Sequence, residues 1–138
     1  MTPLTFAQDL AADLATRGAP QPAHGQLGEV VLDCAGTIVS ILTQSEYDLG
    51  NNCGAIDLVD VVASITRDCS FVANQDGTTD WAKQDQVSAA LDLDATLLWD
   101  WGEKLRATAW LRTGTPTVLF TQMGGVASAT LNIQLPLP

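Results

Sequence analysis

The residues best equipped for chemistry are carboxylates. Asp48, Asp57, Asp60, Asp92, Asp94, Asp100 and Glu103 crowd the middle of the chain. Converging carboxylates could hold a hard cation or act as general acid and base. None of their spacings matches an EF-hand loop. The only imidazole, His24, lies in a Pro- and Gly-containing connector without the fixed geometry of a base set between nucleophile and acid. It offers no zinc-ligand spacing either. Solvated carboxylates are the simpler expectation, and the chain reads as a non-enzyme with no cofactor and no metal.

Asp57 and Asp60 interrupt an otherwise apolar strand-like run, where an unpaired buried carboxylate is costly. Arg67, Arg106 or a neighbouring subunit could pair with them, which makes both candidate subunit-interface residues. Trp81, Trp99, Trp101 and Trp110 all fall on one helical stretch, where an aromatic stripe is ordinarily core. Trp99 and Trp101 are two apart and so point in different directions; not both can face the same sheet. Both are carried as interface candidates, because aromatic anchors are favoured at subunit contacts. Gly124-Gly125 is followed by no lysine and sits in no strand-to-helix switch, so it is turn chemistry rather than a phosphate loop. Cys34, Cys53 and Cys69 form neither an even set nor a CxxC pair, and buried thiols are expected.

The elements that must position these residues follow from pattern. Thr2 and Pro3 can start a helix, as N-cap and first residue, and Gly18 can end it. Leu4, Ala7, Ala11 and Leu14, widened by Phe6 and Leu10, make its buried stripe, while Asp9, Asp13 and Arg17 mark its wet side. A segment with two acidic residues and no basic start reads as a helix rather than a signal peptide. Gly18 to Gly28 reads as a connector. Glu29–Asp33 and Thr37–Thr43 read as two strands joined by a tight hairpin at Ala35-Gly36, followed by a polar loop, Gln44–Gly54. Ala55–Thr66 is a third strand, apolar on both faces and therefore central or covered on both sides.

Asn74–Thr79 is a turn-rich loop, with Thr79 or Asp80 as N-cap of a helix running to about Leu111. Val87, Leu91, Leu98, Trp101 and Leu105 form its stripe, with Asp94 the one polar member. Asp92 or Asp94 could recap it and divide it in two. Thr117–Gln122 and Ser128–Leu135 make a final hairpin around Met123-Gly124-Gly125. Ala129, Leu131, Ile133 and Leu135 point inward from it. The sum is one α+β domain: a mainly antiparallel sheet of about five strands with helices packed on it.

The 138 residues suffice for one core, and no apolar run approaches the roughly 20 residues that span a bilayer. Sixteen acidic against six basic residues, a formal net charge of −10, disfavour a grip on phosphate backbones. The charged fraction of only 16% leaves much neutral surface suited to burial against other subunits.

Several stretches resemble the tail terminator, or head-to-tail joining, proteins of long-tailed phages, especially small neck proteins of phages infecting actinobacteria. They are Gly28-Glu29-Val30-Val31 through Gly36-Thr37-Ile38-Val39, Cys53, Ala55 through Val62, and Ile65-Thr66-Arg67-Asp68-Cys69. The closing hairpin at Gly124-Gly125, with Leu131-Asn132-Ile133-Gln134-Leu135, completes the pattern. The resemblance implies a homo-oligomer, a ring of six copies that caps the tail tube protein and stops its polymerisation. Such a ring meets head-closure or adaptor proteins of the portal connector and lets DNA pass through its lumen unbound. It implies a virion neck component assembled in the host cytoplasm, without membrane contact. On that reading, Tyr47, Asn51, Asn52, Asn74, Asp76, Gln122, Met123, Gly124 and Gly125 are candidate inter-ring contacts. Asp57, Asp60, Trp99 and Trp101 are candidate contacts within a ring. The alternatives are a head-closure, adaptor or minor tail protein of the same virion, and an acidic inhibitor or DNA mimic.

Overall fold

The structure is a computed structural model that describes residues 1–30, 35–68, 72–111, 113–123 and 125–138. Helix α1, Pro3–Thr16, starts as its sequence demands: the Thr2 hydroxyl accepts from the Thr5 N–H at 3.2 Å, and Pro3 fills the first turn. Gly18 follows the C-cap with φ +101°, a conformation that costs a side chain but not glycine. Ala7, Leu10, Ala11 and Leu14 are buried, whereas Leu4, expected in the same stripe, is exposed.

The connector holds an unexpected strand. Ala23–Leu27 is β1, and it pairs in parallel with β2, Gly36–Asp48, from Ala23 opposite Thr37 to Leu27 opposite Ile41. Its sequence, Ala-His-Gly-Gln-Leu, contains no β-branched residue and follows a proline, so strand propensity gives no sign of it. Glu29 and Val30 lie outside any strand, contrary to the sequence reading, and Val31–Asp33 fall outside the described residues. The expected hairpin onto β2 is replaced, because β1 already holds that side of the strand. Gly25 makes β1 possible here. A Cβ at this position would stand 2.3 Å from the backbone of Ala7, so α1 rests directly on the strand.

Strand β2 also runs further than its pattern suggests, through the first part of the expected polar loop to Asp48, and pairs antiparallel with β3, Ala55–Asp68. A register shift between Ile41 and Thr43 marks a bulge where the strand leaves the core. Two further strands, β4 at Thr117–Met123 and β5 at Val126–Pro136, complete the order β1-β2-β3-β5-β4. β3 is central, as its apolar composition requires, and every pairing except β1 with β2 is antiparallel. The domain is α+β.

Helix α2, Trp81–Thr108, is continuous: 28 residues, about 42 Å at 1.5 Å per residue. Asp80 caps it, its carboxylate accepting from the Lys83 N–H at 3.2 Å. Neither Asp92 nor Asp94 divides it. Both helices cover the same sheet face. Beneath them lie Val39 and Ile41 of β2, Val59, Val61, Ala63 and Ile65 of β3, and the inward row Ala127 to Leu135 of β5. Each large aliphatic side chain withdrawn there contributes about 1.5–3 kcal/mol. Gly102 lets α2 descend onto Leu131, whose side chain would lie 2.8 Å from an added Cβ.

Candidate assembly surfaces

The carboxylates do not converge. Among the described residues, no group of three or more His, Cys, Asp or Glu could hold a metal ion. Asp94 departs from the expectation of solvated acids. It is 3% exposed in the stripe of α2 and accepts two hydrogen bonds from Arg67 of β3, Nε to Oδ2 and Nη2 to Oδ1, each 2.6 Å. The hydrogen bond to Asp94, aided by its charge and opposed by partial burial, raises the Arg67 pKa. That pairing corrects the assignment of Arg67 to Asp57 or Asp60. Arg106 is also engaged elsewhere, 3.6 Å from Glu103. Asp57 is exposed, and Asp60, half-buried, accepts from the Thr43 hydroxyl across the β2–β3 ladder. Neither acid is fully buried, so neither meets the cost that suggested a partner.

Trp101 is 1% exposed, and its indole N–H donates to Asp13 of α1 at 2.9 Å. It belongs to the core between the helices and is no interface residue. Asp13 is correspondingly more than a wet-side acid, since it also accepts from Arg17 Nε at 3.2 Å. Trp99 is 40% exposed, Trp81 and Trp110 more so, and Trp110 lies beyond the end of α2. His24 has a fixed place on β1, where it is exposed. Cys53 is exposed as well, against the expectation of a buried thiol, because it belongs to the turn joining β2 to β3; Cys34 and Cys69 lie outside the described residues.

Strand register sorts the loop candidates between two ends of the sheet. Asp48 pairs with Ala55, so Asn51 and Asn52 form the tip at one end. Both have positive φ, and the turn is closed by the Leu49 N–H to the Gly54 carbonyl at 3.0 Å. Tyr47 is not in a loop; it is a half-exposed residue of β2 opposite Ile56. Because β5 reaches only to Pro136 opposite Leu58, the β2–β3 tip projects past it as a two-stranded ribbon. That ribbon carries Glu46 opposite Asp57, with Asp48 nearer the tip, and no basic residue falls between Thr43 and Asp60.

At the other end, Asp68 of β3 pairs with Val126, which itself pairs with Met123. The β4–β5 tip therefore lies beside the loop that follows β3. Gly125 turns there with φ +82°; Gly124 lies outside the described residues. In the neighbouring loop, the Asp76 carboxylate accepts from the Thr78 hydroxyl at 2.6 Å and its N–H at 3.0 Å, which lowers the Asp76 pKa. Asn74 Nδ2 donates to the Thr78 hydroxyl at 3.0 Å. Gln84 Nε2 donates to Gln122 Oε1 at 2.6 Å, linking the start of α2 to the tip.

The sheet face turned away from the helices forms a groove of about 550 Å³. Leu42, Val62, Leu119 and Met123 line it beside a polar ladder, in which Ser64 bonds Thr130 at 2.9 Å and Thr66 bonds Ser128 at 2.8 Å. The sequence marks Ser128 and Thr130 as the polar side of β5, but the hydroxyl partners on β3 are legible only once the register is known.

Compared with protein-family models and with curated proteins, the chain matches none. Among the described residues, no helix is long and apolar enough to cross a membrane.

Proposed function

We propose that the chain is a structural subunit of a phage neck ring, a tail terminator that caps the tail tube and joins it to the head connector. The observation that carries this reading is the division of the loop candidates between two opposite ends of one sheet. Asn51 and Asn52 stand at one, and Asn74, Asp76, Gln122 and Met123 at the other. A terminator needs two such ends, one for the tube and one for the connector, with the sides left for its own copies. The acidic ribbon and the net charge of −10 fit a channel that repels phosphates and lets DNA pass.

Light scattering and negative-stain electron microscopy on the purified chain test the reading. A ring of six copies of 14.6 kDa has a mass of about 88 kDa, formed alone or on addition of tail tube protein. A ring that binds portal complex but not tube assigns the chain to the head-closure side instead. A chain that forms no ring with either partner is better explained as an acidic inhibitor, which the −10 charge also favours. It would then show a strongly salt-dependent complex with a nucleic-acid enzyme.

A further inference from the structure

We infer that copies of this chain join head to tail, the β4 edge of one copy against the β1 edge of the next. The inference rests on the ring reading for its setting and deepens it by naming the contact that closes the ring.

β4 is an unguarded edge. Sheet edges are normally protected by charge, proline or bulges. Thr117–Met123 contains neither a charged residue nor a proline, and no strand pairs with its outer side among the described residues. Phe120 pairs with the inward-facing Ala129 and so projects on the helix side, while Leu119 and Met123 project on the other. All three are more than half exposed.

The flank of α2 above this edge continues the apolar surface. Trp81 and Trp99 are 18 residues apart, five turns at 3.6 residues each, and so share one azimuth. Gln84, on the adjoining azimuth, bonds Gln122 of β4, whereas Trp101, on the opposite flank, bonds Asp13 of α1. Trp81 and Trp99 therefore lie on the β4 side. An aromatic side chain offers about 150–250 Å². By that measure the exposed parts of Trp81, Trp99 and Phe120 come to roughly 300 Å², with Leu119 and Met123 adding to it, a large share of the ~800 Å² each partner commits to a standard interface.

The opposite side of the molecule is hollow where this one is full. A groove of about 460 Å³ runs between α1 and β1, walled by Ala11, Ala12 and Ala15 and by Ala23 and Gly25. Its polar members are Gln8, Gln21, His24 and Gln26, and no Asp, Glu, Lys or Arg lines it. In a chain of net charge −10, neither β4 itself nor this groove brings a carboxylate to the contact, which limits like-charge repulsion between identical copies.

Strand direction agrees. β1 runs parallel to β2, and so does β5, two antiparallel steps away; β4 runs opposite to both. A neighbour in the same orientation thus offers β1 antiparallel to β4, the more stable form of pairing. Each copy uses two different surfaces and keeps one free for the next, which generates a closed ring when the rotation between copies closes.

Two exposed substitutions test this contact: Phe120→Lys places a charge on the full side, and Ala12→Arg fills the hollow. Circular dichroism first establishes that both variants are folded. Light scattering is then read for the wild type, for each variant, and for an equimolar mixture of the two. The expected result is an assembling wild type, two variants that remain monomers, and a mixture that stops at a 1:1 dimer of about 29 kDa. The dimer forms because A12R retains an intact β4 side and F120K an intact β1 side. Variants that assemble like the wild type, or a mixture that stays monomeric while the wild type assembles, overturn the contact and leave the ring reading standing. A wild type that never assembles, either alone or with tail tube protein, overturns both.

Discussion

Arg67 and Asp94 meet through two parallel hydrogen bonds of 2.6 Å across the seam between β3 and α2, with the carboxylate buried and the guanidinium partly in solvent. The asymmetry of exposure gives the pair asymmetric consequences. Arg67→Ala strands a buried charge and should cost about 3 kcal/mol. Asp94→Ala should cost less, because the freed guanidinium can hydrate. Urea unfolding of the two variants gives the comparison, and equal losses would mean that Asp94 is not desolvated. A group whose pKa is raised on folding contributes fully below its ordinary value. Arg67 therefore stays charged throughout the working pH range, and this contribution does not vary with Arg67 ionisation there.

Trp101 and Asp13 clamp the two helices together. Trp101→Phe removes a hydrogen bond to a charged acceptor, worth about 1.5–3 kcal/mol, and leaves a small void. Asp13→Asn retains an acceptor oxygen and should cost less. Near-ultraviolet circular dichroism would report the loosened packing in the first variant. No difference in stability between the two would sink the clamp.

Gly25 and Gly18 are both glycines for structural reasons, but of different kinds. An alanine at 25 drives a methyl into the Ala7 backbone, which cannot give way without moving α1, so a loss of at least about 3 kcal/mol is expected. An alanine at 18 meets no atom within 4 Å and pays only for its positive φ, about 1 kcal/mol. Thermal melts of the two variants should rank in that order.

Asp76 holds its loop by accepting from Thr78. Because its folded pKa is lowered, the stabilisation is present above the ordinary carboxylate range and is lost as pH falls through the depressed value. Amide exchange at Thr78 should therefore accelerate only at strongly acid pH. In Asp76→Asn the protection should no longer depend on pH in that range; an unchanged acid transition in this variant would assign the effect to another group.

On the proposed reading, deletion of Met123 to Gly125 shortens the β4–β5 tip without touching the core. It should abolish head-to-tail joining while the purified domain remains folded. Normal virion yield from a phage carrying the deletion removes the tip from the assembly mechanism.

The sequence made some of these relationships legible and hid others, for identifiable reasons. The α2 stripe was readable down to Asp94, because helical periodicity places the acid among Leu91, Leu98 and Trp101 whatever its charge. The inward row of β5 and the central place of β3 were readable from alternation and apolar content. β1 was not, since Ala-His-Gly-Gln-Leu owes its strand to a neighbour in space rather than to its own propensities. Arg67 could not be assigned to Asp94 rather than to Asp57 or Asp60 without knowing which face of β3 meets α2. The fate of Trp99 and Trp101 needed the same fact: their spacing separates their directions but does not say which one points inward.

β5 follows β4 in the chain yet stands between β4 and the rest of the sheet. On the ribosome, β4 is made before β5, its one partner strand among the described residues, so its hydrophobic row has no strand of its own chain to pair with until Ala127 to Leu135 have been synthesised. A nascent or broken chain that stops short of β5 has no ordered β4 edge to offer a neighbour. If copies join through β4 as proposed, lateral recruitment acts as proofreading for completed translation, admitting finished subunits and turning away fragments.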